Sequence, residues 1–278
     1  MRIFLTGAEG QLGHELVAAF ADHEVVATDV AQVDITERAA LLEAIAAARP
    51  DVVVHPAAWT AVDACEGDPD RAFAVNAVGT RNVADAAEQR GVPVVYVSTD
   101  YVFDGTKPTP YDEGDEPNPQ SVYGRSKLAG ERELHPGSTI VRTSWVCGFH
   151  GPNMVKTILR LAAEHPTLSF VDDQRGHPTF APDLAAVIRT LVLEQRPGLF
   201  HVTNQGAVSW YEFARAVLES AGLDPDRVQP VSTADLQPPR PAPRPANSVL
   251  DNAELRRSGL ALAPHYRESL DRLVARLR

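Results

Sequence analysis

The chain has 278 residues, 44% hydrophobic and 23% charged, the balance of a folded globular protein, which excludes a disordered chain. With 37 acidic against 26 basic residues the net charge is −11, which argues against a general electrostatic grip on nucleic acid or on an anionic membrane surface. No stretch approaches the ~20 apolar residues of a membrane span, and Gly7 comes too early for a signal peptide. Two cysteines, Cys65 and Cys147, with no CxxC pair fit reduced thiols in a cytoplasmic protein.

Residues 3–6 read as a short buried strand opening into Gly7-Ala8-Glu9-Gly10-Gln11-Leu12-Gly13, after which Leu12, Leu16 and Phe20 recur on one helical face. Residues 25–28 make a second strand that ends at Asp29. A helical face of Leu41, Leu42 and Ile45 follows over 36–48 and stops at Pro50. Residues 52–54 form a third strand, and one long helix is expected from about 69 to 90, closed by Gly91. Residues 94–97 and 139–141 are the fourth and fifth strands. Continuous apolar strands alternating with helices predict an α/β, Rossmann-like doubly wound parallel sheet covered on both faces.

Beyond His150 the pattern loosens. Helices are expected near 154–163 and 210–221 and a strand near 199–202, while the proline-rich run 238–245 admits neither helix nor central strand. The chain divides on this pattern into a dinucleotide-binding domain (1–149 and about 181–205) and a smaller C-terminal substrate-binding lobe (about 150–180 and 206–278).

Gly7, Gly10 and Gly13 lie directly between strand and helix. There the loop must turn tightly and bring its backbone against a pyrophosphate at the positive helix N-terminus. Asp29 would accept hydrogen bonds from an adenosine ribose diol and repel a phosphate there, which favours NADH over NADPH. Asp34 with Ile35 either flanks the adenine or, through Asp34, caps the next helix.

Tyr123 and Lys127 are spaced to share one helical face. A phenol ordinarily loses its proton at about pH 10, and a neighbouring ammonium lowers that value. Lys127 would also bond the nicotinamide ribose. Ser98-Thr99-Asp100 ends the fourth strand, where ligands of open parallel sheets bind. Thr99 would hold a substrate carbonyl there while Tyr123 delivers a proton and a cofactor delivers hydride.

These residues resemble the extended short-chain dehydrogenase/reductase superfamily. Within it the chain is similar to the dTDP-4-dehydrorhamnose reductase family at TGAEGQLG (6–13), AAWTAVD (57–63), STDYVFDG (98–105), YGRSKLAGE (123–131), RTSWV (142–146), DQRGHPT (173–179) and RPANS (244–248). The resemblance implies a cytoplasmic oxidoreductase that uses NADPH or NADH to reduce the C4 ketone of a dTDP-sugar. By it, Thr99, Tyr123 and Lys127 are catalytic. Gly7, Gly10, Gln11, Leu12, Asp29, Asp34, Ile35, Ala57, Ala58, Asn76, Val97 and Ser98 would line the cofactor cleft. Asp100, Tyr101 and Trp145 would approach the sugar, and Arg244, more than Arg240, would grip the diphosphate. Asn76 within a helix is unfavourable by propensity, which suits a helix distorted for function. Trp210 reads as a core aromatic.

Asp172, Asp173 and His177 match no zinc spacing, and no metal is expected. Some relatives hold Mg²⁺ at a dimer interface, and monomer and homodimer both stay open. The chain departs from its relatives over 146–153, where Cys147 and Pro152 replace an aromatic and an asparagine. Related dehydratases place an Asp-Glu pair after the strand-four threonine; Asp100-Tyr101 lacks the carboxylate base for that elimination. The alternatives are another dTDP-hexose 4-ketoreductase or epimerase, and a non-catalytic regulatory subunit similar to that of methionine adenosyltransferase.

Overall fold

A computed structural model describes residues 1–278. Strands β1 (Arg2–Leu5), β2 (Glu24–Ala27), β3 (Val52–His55), β4 (Val94–Thr99) and β5 (Thr139–Thr143) join a sixth, Gly198–His201, in one parallel sheet. Its order is Gly198–His201, β5, β4, β3, β1, β2. The chain steps from β1 to β2 on one side and then crosses to β3 on the other. A crevice therefore opens at the carboxyl ends of β1 and β3, the switch point where such sheets bind ligands. Every residue of β3 and β4 is buried, as a strand covered on both faces requires.

Alternation along β1 decides which helices cover which face. Ile3 and Leu5 pack with Leu16 of α1 (Gln11–Ala19) and with Leu184, Ile188 and Leu191 of α8 (Ala181–Leu193), once the intervening helices are counted. Phe4 turns the other way, onto Leu41 and Ile45 of α2 (Arg38–Ala48). The intervening helices are α3 (Val62–Gly67), α4 (Pro69–Phe73), α5 (Gly79–Glu88), α6 (Val122–Arg132) and α7 (Met154–Glu164). The expected single helix over 69–90 is divided: α4 passes through a π-helical turn, Ala74–Val78, into α5. That wider turn contains Asn76.

A second apolar cluster builds the C-terminal lobe, where α7, α9 (Trp210–Ser220) and α11 (Tyr266–Leu277) close around Ile158, Phe213, Val217 and Leu270. A short parallel pair, Leu168–Val171 with Val228–Val231, lies beside them. The short α10 (Ala253–Arg257) instead returns Leu255 to the sheet's own core. Neither α8 nor α11 was among the expected elements, although α8 repeats its buried residues at helical spacing. No helix is long and apolar enough to cross a membrane.

Candidate active site

The crevice is a cleft of about 1000 Å³ running from the glycine loop and Asp29, past Thr99, Tyr123 and Lys127, to Trp145 and Trp210. The loop is built on close backbone approach. Gly7 has φ +61°, and a Cβ on it would stand 2.9 Å from Ala57 Cα. A Cβ on Gly13 would stand 2.2 Å from the Gly7 carbonyl oxygen. Helix α1 starts at Gly10 without a side-chain cap, so its first amides stay free for an anion. Changing Gly13 to Ala is expected to displace this loop, lowering stability by about 1–3 kcal/mol and abolishing dinucleotide binding. Urea unfolding and a titration with NADH check it; an unchanged titration would contradict the role given to the loop.

Gln11 and Leu12 line the cleft beyond the glycines, and the Gln11 Oε1 accepts from Asn153 Nδ2 at 3.0 Å. Asn153 also caps α7, so the departing loop over 146–153 ties the second lobe to the glycine loop. Asp29 lies at the end of β2, its Oδ2 accepting from the Glu9 amide at 3.0 Å and its Oδ1 from the Val30 amide at 2.8 Å. Asp34 does not cap α2, whose N-cap is Glu37; its Oδ1 accepts from the Thr36 amide and hydroxyl, both at 2.8 Å. Ile35, Ala57, Ala58, Val97 and Ser98 all line the cleft.

Asn76 does not line it. Buried behind the wall, it accepts at Oδ1 from the Trp59 amide (2.7 Å) and donates from Nδ2 to the Trp59 carbonyl (3.1 Å) and the Ser126 hydroxyl (2.9 Å). The carboxamide is fully committed to the protein, so the expected cofactor contact is corrected to a brace between the Trp59 segment and α6.

Thr99 ends β4, and α6 brings Tyr123 and Lys127 beside it, with Ser121 as N-cap accepting from the Gly124 amide. Gly124 lets α6 press against the 101 segment, since a Cβ there would stand 2.2 Å from the Tyr101 carbonyl oxygen. The Tyr101 and Tyr123 rings meet edge to face at 5.6 Å. The electrostatics differ from the expectation. Burial pushes the Tyr123 phenol above its ordinary value, with the Thr99 hydroxyl acting the other way. Burial also pulls the Lys127 ammonium down to about 7, opposed by Glu131, and Nζ donates to the Val97 carbonyl at 2.8 Å. Burial is thus the main influence on both groups in this cleft. The Thr99 hydroxyl, expected to meet a carbonyl, donates to Asp100 Oδ1 at 3.0 Å. Burial pushes the Asp100 carboxyl up to about 6, against the Ser248 and Thr99 hydroxyls.

Trp145 has a left-handed backbone, φ +46°, costly for a bulky side chain. Its ring lies flat on Trp210, centroids 3.5 Å apart and planes 10° off parallel. Both indoles line the cleft, so Trp210, read from sequence as core, is a wall of the site; its position at the start of α9 was the only available signal. Arg244 does not reach the cleft. Its guanidinium is paired with both carboxylate oxygens of Asp63 on α3, at 2.9 and 2.8 Å, and holds that carboxyl below its ordinary range although burial opposes it. The expected diphosphate grip is replaced by a clamp between the proline-rich run and α3. Arg240 is exposed, 3.8 Å from the same carboxylate.

A switch-point cleft, a glycine loop under an uncapped helix, and a Thr, Tyr and Lys gathered at the carboxyl end of β4 define the extended short-chain dehydrogenase/reductase class. A family model described as "RmlD substrate binding domain" matches residues 1–278. The dTDP-4-dehydrorhamnose reductase of Sinorhizobium fredii is 42% identical over 99% of this chain and 97% of its own length. Among solved structures, a dTDP-4-dehydrorhamnose reductase from Clostridium acetobutylicum superposes with a TM-score of 0.96 at 42% identity, covering 100% of this chain and 99% of that one. The Bacillus anthracis enzyme, solved in complex with NADP, gives 0.95 at 39% identity, covering 99% of each chain. The chain belongs to the dTDP-4-dehydrorhamnose reductase family.

Proposed function

We propose that this protein reduces the C4 ketone of dTDP-4-dehydro-L-rhamnose to dTDP-L-rhamnose with NADPH or NADH. The observation that carries the reading is the gathering of Tyr123, Thr99 and Lys127 on one wall of the cleft, with the phenol buried and burial favouring its protonated form. Ketone reduction needs that state, because the oxygen becomes an alkoxide and must be given a proton. A bound nicotinamide would supply the hydride. Thr99, once its hydroxyl turns from Asp100, holds the carbonyl oxygen, and Tyr123 gives the proton from its phenol. Lys127 orients the cofactor ribose and meets the phenolate charge after transfer. Asp100, Tyr101, Trp145 and Trp210 form the sugar side, with the substrate lobe drawn from about 150–180 and 206–278.

The cleft residues fit a dinucleotide: an uncapped helix end for its pyrophosphate and the Asp29 carboxylate for a ribose diol. Two buried free thiols, Cys65 and Cys147, support a place in the cytoplasm; the working unit is either one chain or a homodimer. Purified protein mixed with NADH and dTDP-4-dehydro-L-rhamnose should oxidise the cofactor and form dTDP-L-rhamnose. Cofactor left fully reduced would remove the reading.

Glu9, Asp29 and Asp34 all line the cleft at the glycine-loop end, a field unfriendly to a further phosphate. NADH is expected to give the higher kcat/KM, and changing Asp29 to Asn should narrow the gap to NADPH by about tenfold. Side-by-side kinetics check this, and an unchanged ratio would take the selection away from Asp29.

A further inference from the structure

The cleft must take two diphosphates, one on the dinucleotide and one on the sugar nucleotide, yet its walls are acidic. Four carboxylates line it, Glu9, Asp29, Asp34 and Asp100, against two cations, Lys127 and Arg71. Lys127 is buried at the Val97 carbonyl, next to the reacting groups. Arg244 is closed off by Asp63. Arg71 is left. It stands on α4, exposed to solvent, with its guanidinium carbon 4.6 Å from the centroid of the Trp59 ring, and it takes part in no salt bridge.

Neither acidic residue just before it, Asp68 or Asp70, forms a salt bridge with it. Asp68 accepts from the backbone N–H of Arg71 at 3.1 Å, capping α4. The guanidinium lies over the indole face and takes part in no salt bridge, which leaves its N–H groups free for a ligand. The backbone of Trp59 is fixed from behind by the Asn76 brace, which sets where the indole starts from. An unpaired guanidinium on an acidic cleft is suited to a diphosphate bridge, whose two phosphates each carry a negative charge and whose oxygens a guanidinium fork meets with paired hydrogen bonds.

We infer that Arg71 is the cation that receives a nucleotide diphosphate in this cleft, the task Arg244 does not perform. The inference rests on the proposed function, which supplies both diphosphates. Trp59 and Arg71 act together: the ring carries the guanidinium, and the guanidinium binds.

The test uses the full chain and direct binding. Arg71→Met keeps an apolar stem over Trp59 and removes the charge; Arg71→Lys keeps a charge without the fork. Each is titrated with NADH and, separately, with dTDP, at low and high salt. The Met variant is expected to weaken one titration by about tenfold or more and to flatten its salt dependence, with partial recovery in the Lys variant. A loss confined to NADH assigns the dinucleotide, and one confined to dTDP assigns the sugar nucleotide. Both affinities staying within about twofold of the parent would overturn the inference. Binding that depends on Arg71 in a protein that reduces no keto sugar would end the functional reading and leave this one standing.

Discussion

Replacing Tyr123 by Phe is expected to lower turnover by about 10²–10⁴-fold while cofactor binding persists. The change removes one hydroxyl and leaves the ring, so the edge contact with Tyr101 and the packing against Cys65, Ala72 and Val122 remain. What is lost is the proton source. Burial favours the protonated phenol, and the Thr99 hydroxyl, a far weaker acid that only holds the carbonyl oxygen, does not replace it as proton source. Single-turnover absorbance of NADH with saturating keto sugar measures the step, and turnover within about tenfold of the parent would remove Tyr123 from the mechanism.

A second large effect is expected on stability. Glu131 on α6 and Arg142 on β5 form a two-bond pair, at 2.9 and 2.6 Å, with side chains only 5% and 4% exposed. Ser98 also donates to this carboxylate. Glu131→Gln leaves a buried guanidinium without its anion and should cost about 3–5 kcal/mol, read from urea unfolding. A loss below about 1 kcal/mol would mean that water reaches the pair. Activity should respond as well. The Glu131 carboxylate raises the Lys127 pKa from one turn away, and without it the ammonium loses its proton at lower pH. Since Lys127 works as the cation, the alkaline limb of the kcat/KM profile, which reports the free enzyme and is expected near 7, should move to lower pH; a limb that stays in place would separate Lys127 from Glu131.

The parts of the site that follow from local periodicity were legible in the sequence. β1, the glycine loop and α1 are one continuous pattern, and the Tyr123–Lys127 spacing has meaning only on a helix, which α6 supplies. Asn76 signalled a distorted helix through its poor propensity, and the π-helical turn is there, but its side chain faces the protein. What stayed hidden depends on partners distant along the chain. Arg244 is claimed by Asp63, and Trp210 reaches the cleft by stacking on Trp145; no spacing rule reports either. The bond of Lys127 to the Val97 carbonyl was hidden for a similar reason, because that partner comes from β4 and not from α6.

The Trp145–Trp210 stack carries a consequence for how this cleft could change its sugar. The ring of Trp145 is wedged against Gly176 too, where a Cβ would stand 2.7 Å from it. Backbone, neighbouring indole and glycine thus hold one conformation in common, and single replacements at any of the three would collapse the wall instead of reshaping it. Altered sugar preference should therefore arise through coordinated substitutions at Trp145, Gly176 and Trp210, making this corner of the protein slow to diverge.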